Sequence, residues 1–191
     1  MLTITEALTA AACGQQEEAL RHARRTLDHA HVLGLGFDSL RWAWPLAART
    51  ACDLHDTPAI SDLLALLDSH PPGHVPPMLR AARDLTRARL AASDHDQATA
   101  ASFAAAIASL RELSSPYHLA QGLLDYAEHN THLGNADAAQ TAVSEARDIA
   151  RRLRCPPLLD RAADLLPAEP RIRVPMVTTH GPEESANVRD G

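Results

Sequence analysis

A chain of 191 residues with 46% hydrophobic content is long enough to bury one core, and its 37 alanines beside 3% aromatics favour helices over sheets. All 18 basic residues are arginine, which excludes a phosphate-loop lysine, a Schiff-base lysine and a lysine general base. The net charge of −6 lacks the clustered positive field of a nucleic-acid surface, so no direct nucleic-acid partner is expected.

Cys13, Cys52 and Cys155 are odd in number and far apart, which fits reduced cytosolic thiols better than a disulfide framework. The stretch Ala10-Ala11-Ala12-Cys13 superficially resembles a lipoprotein cleavage site. Residues 2–12 nevertheless contain no basic residue and carry Glu6 within a helical pattern, so a cytoplasmic location is expected. No run approaches the length of a membrane span, and no membrane partner is expected.

In chain order, residues 2–13 read as a first helix closed by Gly14, and residues 16–33 as a second closed by Gly34-Leu35-Gly36. The second buries a stripe of Ala19, Leu20, Ala23, Leu27 and Ala30. Residues 37–54 form the next helix, where Pro45 predicts a kink or break near residues 41–44. Thr57 as N-cap and Pro58 at the first helical position start a short helix through Leu67.

The four prolines of residues 70–77 make a stiff loop, a candidate seam between two halves. Residues 77–92 and 97–113 form a further pair around a turn at 93–96. The clearest unit follows. Ser115 and Pro116 open a helix with Leu119, Leu123, Tyr126 and Ala127 on one face, and Gly134-Asn135 breaks it. A partner helix through Leu153 repeats Ala139, Ala142, Val143, Ala146 and Ile149. Residues 158–166 have the length and place of a capping helix. Beyond Pro167, Pro170, Pro175, Gly181 and Pro182 with little apolar content predict a disordered tail over 168–191.

Turn positions Gly14, Asp56, Asp94 and Gly134 fall about 40 residues apart, as expected of four helical hairpins and a ninth helix. The expected architecture is all-α: a right-handed tetratricopeptide-like superhelix in one domain over 1–167. The period is longer than the usual 34 of that repeat.

The wording of residues 115–162, SPYHLAQGLLDYAEHNTHLGNADAAQTAVSEARDIARRLRCPPLLDRA, resembles the C-terminal helical repeats of large bacterial signal-transduction ATPases. Members of that family join an AAA or NACHT-like ATPase core to tetratricopeptide-like repeats, often with a class III adenylate or guanylate cyclase domain or a LuxR-type DNA-binding domain. The resemblance implies a detached C-terminal piece, either a truncated product or a stand-alone repeat protein. Its inherited role is protein interaction or regulatory sensing, with a protein or peptide partner such as an ATPase or cyclase domain. No catalytic residue of the family has a counterpart here, and no enzymatic activity or cofactor is expected.

Candidate sites follow from side-chain type. Arg80, Arg83 and Arg87 share a helix face and suit an acidic or phosphorylated peptide, with Asp84 partly offsetting them. Trp42 and Tyr117 complete the candidate partner-binding groove; of the two tryptophans, Trp42 and Trp44, one is expected in the core and one on a rim. Asp125 with His129, and Glu128 with His132, stand at i,i+4 and are weighed as metal ligands, but neither an HExxH nor an ExxH pattern is present. A ligand-sensing domain of a transcriptional regulator and a helical-bundle metal enzyme are the alternative functions.

Overall fold

The computed structural model describes residues 4–71, 73–92 and 98–165. The expected turn at 93–96, the end of the capping helix at Leu166 and the tail over 168–191 lie outside the described residues. Those described form ten helices and no strand: α1 (Ile4–Ala12), α2 (Gln16–Leu27), α3 (Ala30–Leu33), α4 (Asp38–Asp53), α5 (Thr57–Asp68), α6 (Pro77–Ala92), α7 (Ala98–Glu112), α8 (Pro116–His132), α9 (Ala136–Leu153) and α10 (Pro156–Asp164). No described helix is long and apolar enough to cross a membrane.

The helices lie in two layers. In one, each of α1, α4, α6, α8 and α10 touches the next; α2, α5, α7 and α9 pack against that layer, each pairing with its chain neighbours. Buried alanines let these helices approach closely: Ala43, Ala47 and Ala51 on α4 and Ala120 and Ala127 on α8 are fully covered. Two apolar clusters result, and α6 serves both. Its Leu79 and Ala82 join the N-terminal cluster, and Ala81, Leu85 and Ala88 the C-terminal one. Val75, from the proline-rich loop, is buried in the N-terminal cluster.

The turns repeat in geometry. The N–H groups of Gln15, Asp56, Ser115, Asn135 and Cys155 each donate to the carbonyl five residues back, at 2.8 to 3.3 Å, closing the preceding helix in a Schellman turn. The residue before each donor is left-handed: Gly14, His55, Ser114, Gly134 and Arg154. Gly14, His55 and Gly134 end the first helices of hairpins, and Ser114 and Arg154, 40 residues apart, end second helices.

Four expectations of detail are corrected. The helix expected over 16–33 divides after Leu27, where His29 Nδ1 donates to the Arg25 carbonyl that a continuing helix would give to the His29 N–H, and that N–H turns to the Thr26 carbonyl instead. The cap of α5 is Asp56, whose carboxylate accepts from the Ala59 N–H at 3.0 Å, so Thr57 is already helical and the left-handed turn residue is His55. Pro156 and Pro157 belong to α10, which starts two residues before the expected 158, since proline suits the first turn of a helix. Helix α4 continues through Pro45, so of the kink or break expected there the break is absent. Burial of Leu40, Ala43, Trp44 and Ala47 around the proline, with Trp44 Nε1 donating to the Leu63 carbonyl of α5 at 2.9 Å, holds both sides of it in one helix.

Candidate functional site

The layer of α1, α4, α6, α8 and α10 carries one buried charge network, assembled from four helices. Arg49 projects from α4, Arg89 from α6, Asp125 from α8 and Arg161 from α10. Arg49 grips the Asp125 carboxylate with both ends of its fork, Nη1 donating to Oδ1 at 3.2 Å and Nη2 to Oδ2 at 2.7 Å. Arg161 Nη2 donates to Asp125 Oδ1 at 2.6 Å and to Glu128 Oε2 at 3.0 Å. Arg89 Nη2 donates to Asp53 Oδ1 at 2.6 Å, and its Nε lies 3.8 Å from Asp125 Oδ1. Three guanidiniums face three carboxylates, so the network is neutral as a whole.

Asp125 is 2% exposed, and an isolated carboxylate so deep would cost several kcal/mol. Burial alone would raise its pKa. Arg49, Arg89 and Arg161 outweigh burial and hold the carboxyl well below the usual carboxylate range. Arg89 and Arg161 are held in turn above the ordinary arginine range: burial opposes their charge, and Asp125 more than compensates. Asp125 is therefore an anion committed to guanidiniums, a poor acceptor for a substrate proton near neutral pH. Cys52 beside it is raised by burial despite Arg89, so it stays a thiol rather than an activated thiolate.

A cavity of about 450 Å³ opens over the network, lined by Arg49, Asp53, Arg89, Tyr117, Glu128 and Arg161 among others. A second, of about 310 Å³, shares Cys52, His55, Arg89 and Glu128 with it and adds Phe103, His129 and His132. Next to the first cavity the rings of Trp42, His118 and Tyr117 form a strip, with centroids 5.7 Å apart for Trp42 and His118 and 5.4 Å for Tyr117 and His118. Burial, then the charge of Arg49, pushes the pKa of His118 down to about 4, so its ring is neutral at pH 7.

The five residues of the expected groove fall in two places. Trp42 and Tyr117 meet through His118, and Tyr117 lines the cavity over the network. The α6 arginines turn elsewhere. At 100° per residue Arg80 and Arg87 point away from Arg89, and Arg83 and Arg87 donate to Asp68 of α5 at 3.1 and 2.7 Å. Trp44 is fully buried and Trp42 half exposed, dividing the pair between core and rim. Among the described residues no group of three or more His, Cys, Asp or Glu is placed to hold a metal. Asp125 and Glu128 face arginines, and His132 Nδ1 donates to the Glu128 carbonyl at 2.8 Å.

Arg49, Arg89 and Arg161 were not singled out from the sequence. One signal was available: Arg49 and Arg89 are 40 residues apart, the period expected from the turns, and stand on α4 and α6, neighbours in one layer. Comparison of the chain with models of known protein families and with curated proteins finds no match.

Proposed function

We propose that this chain is a non-enzymatic tetratricopeptide-like helical-repeat module that takes a protein or peptide segment along the face built by α4, α6, α8 and α10. The observation that carries the reading is the cavity over the Arg49, Asp125 and Arg161 network continuing into the half-exposed rings of Trp42 and Tyr117. A fixed charge network beside exposed aromatic rings is a surface organised for contact, since aromatic anchors dominate binding at such faces. The recurring Schellman turns, 40 residues apart where Ser114 and Arg154 close second helices, support the repeat assignment. By its resemblance to the C-terminal repeats of signal-transduction ATPases, the module serves regulation, with an ATPase or cyclase domain as the first partner to try.

Photo-crosslinking tests this. With benzoylphenylalanine at Gln121 or Tyr117, a stoichiometric partner is captured, whereas the same group at Arg80 captures none. Equal capture from both positions overturns the groove, and turnover of a substrate by the purified chain overturns the non-enzymatic reading. The cavity of about 310 Å³ around Phe103, His55 and His132 supports a second reading, small-ligand sensing, because its size suits a metabolite. A metabolite that raises the melting temperature of the native chain, but not of a Phe103→Leu variant, would favour it.

A further inference from the structure

We propose that the groove accepts a basic segment, with two arginine or lysine side chains about five residues apart in an extended chain. This rests on the reading of α4, α6, α8 and α10 as a peptide groove, and adds the sign and spacing of the ligand's charges.

The sign follows from which members of the network are covered. Arg49 and Arg89 are each 16% exposed and Arg161 28%, and all three are committed to carboxylates. The carboxylates of Asp53 and Glu128 are 39% and 49% exposed. Each accepts from one arginine nitrogen, and a carboxylate offers about four acceptor positions, so both can take a second donor from outside. A neutral network thus shows its negative half to the groove. The guanidiniums, at 16%, 16% and 28% for Arg49, Arg89 and Arg161, are less exposed than these two carboxylates, so a ligand guanidinium meets the more open half of the network. The net charge of −6 adds a long-range field of the same sign.

The spacing follows from two parallel pairs. Trp42 precedes Asp53 on α4 by eleven residues, and Tyr117 precedes Glu128 on α8 by eleven. Eleven residues are three helical turns, so in each helix the ring and the carboxylate share a face about 16 Å apart. The two helices, with α6 between them, run in one sense, since Trp42 meets His118 near their starts and Arg49 reaches Asp125 further on. The rings therefore gather at one end of the groove and the carboxylates at the other. Trp42 and Tyr117 are 50% and 40% exposed, and the His118 ring beside them carries no proton charge at pH 7, so the aromatic end attracts a cation over its ring faces. Gln121 Nε2 donates to the Tyr117 hydroxyl at 3.1 Å and steadies that ring.

The test is selection of peptides from a random twelve-residue library on the immobilised full chain, followed by titration of the selected peptides as synthetic material. Enrichment of sequences with two basic residues four to six apart is expected, and affinity should fall at least about fivefold in Trp42→Ala and in the double variant Asp53→Asn/Glu128→Gln, and fall again as salt is raised. Far-ultraviolet circular dichroism confirms that these exposed-site variants fold. Selected peptides that are acidic or neutral yet lose affinity in Trp42→Ala overturn the basic preference and leave the groove standing. Basic peptides indifferent to both variants place binding elsewhere and overturn the proposal. A library that yields no Trp42-dependent binder overturns the proposal and the groove reading together.

Discussion

Replacing Asp125 by asparagine keeps the shape of the side chain and removes the charge that three arginines share. Arg161 retains Glu128 and Arg89 retains Asp53, but Arg49 loses both of its hydrogen bonds to carboxylate oxygens, and an amide N–H₂ now faces guanidinium donors. Removing one partner of a buried ion pair costs about 3–5 kcal/mol, a large share of the ~5–15 kcal/mol that holds a domain together. Urea unfolding followed at 222 nm should show the midpoint falling by about 2 M for a slope near ~2 kcal/mol per M, with the slope unchanged. Adding Arg49→Met should recover part of the loss, because it removes the stranded cation. A loss below about 1 kcal/mol for Asp125→Asn would refute the argument, since the network would then behave like an exposed surface pair.

Acid should weaken the fold through His118. With its folded pKa near 4 and an unfolded value of 6.5, the folded chain binds fewer protons between those limits, so the contribution is complete above pH 6.5 and is lost as pH falls toward 4. The stability difference between pH 7 and 4.5 should be about 2 kcal/mol smaller in His118→Gln than in the native chain, read from urea curves at each pH. Gly122→Ala should stabilise by about 0.5–1 kcal/mol, because its new methyl would sit in ordinary contact, 3.4 Å from Leu110 Cδ1 and Leu85 Cδ2, in a helix interior. Gly134→Ala should destabilise by about 1–2 kcal/mol, because its φ is +76°; thermal melts rank the two against the native chain. Exposed Cys13 should react with a thiol reagent at pH 7.5 faster than Cys52 by about tenfold or more, as mass spectrometry of single-site adducts can count.

Helices were legible in this chain because their information is local. Alanine periodicity, prolines at first turns and the glycines at 14 and 134 place most of the elements within two residues of where they stand. The break after Leu27 was not legible from periodicity, since Ala30 continues the apolar stripe while the side chain of His29 takes the Arg25 carbonyl. The charge network was hidden for a different reason. Asp125 in the sequence shows only its helical neighbours, which suggest a half-built metal site with His129. Its actual partners stand 76 and 36 residues away, and the expected period of about 40 relates Arg49 to Arg89 but not to Arg161. Trp42 and Tyr117 were recognisable as exposed aromatics, but their meeting through His118 depends on how α4 and α8 flank α6 in one layer.

A stack of hairpins in which each touches only its neighbours would fray from either end in independent steps. Asp125 changes that at one end. Its contacts reach from α4 to α10, so opening the last helix or the fourth exposes the same buried anion, and the helices between them gain a shared reason to open together. At the other end α2 is tied to α5 by the exposed pair of Arg24 and Asp62, which holds little against water. Amide hydrogens of α1 and α2 should therefore exchange first and by degrees, and those from α4 to α10 later and as one cooperative unit.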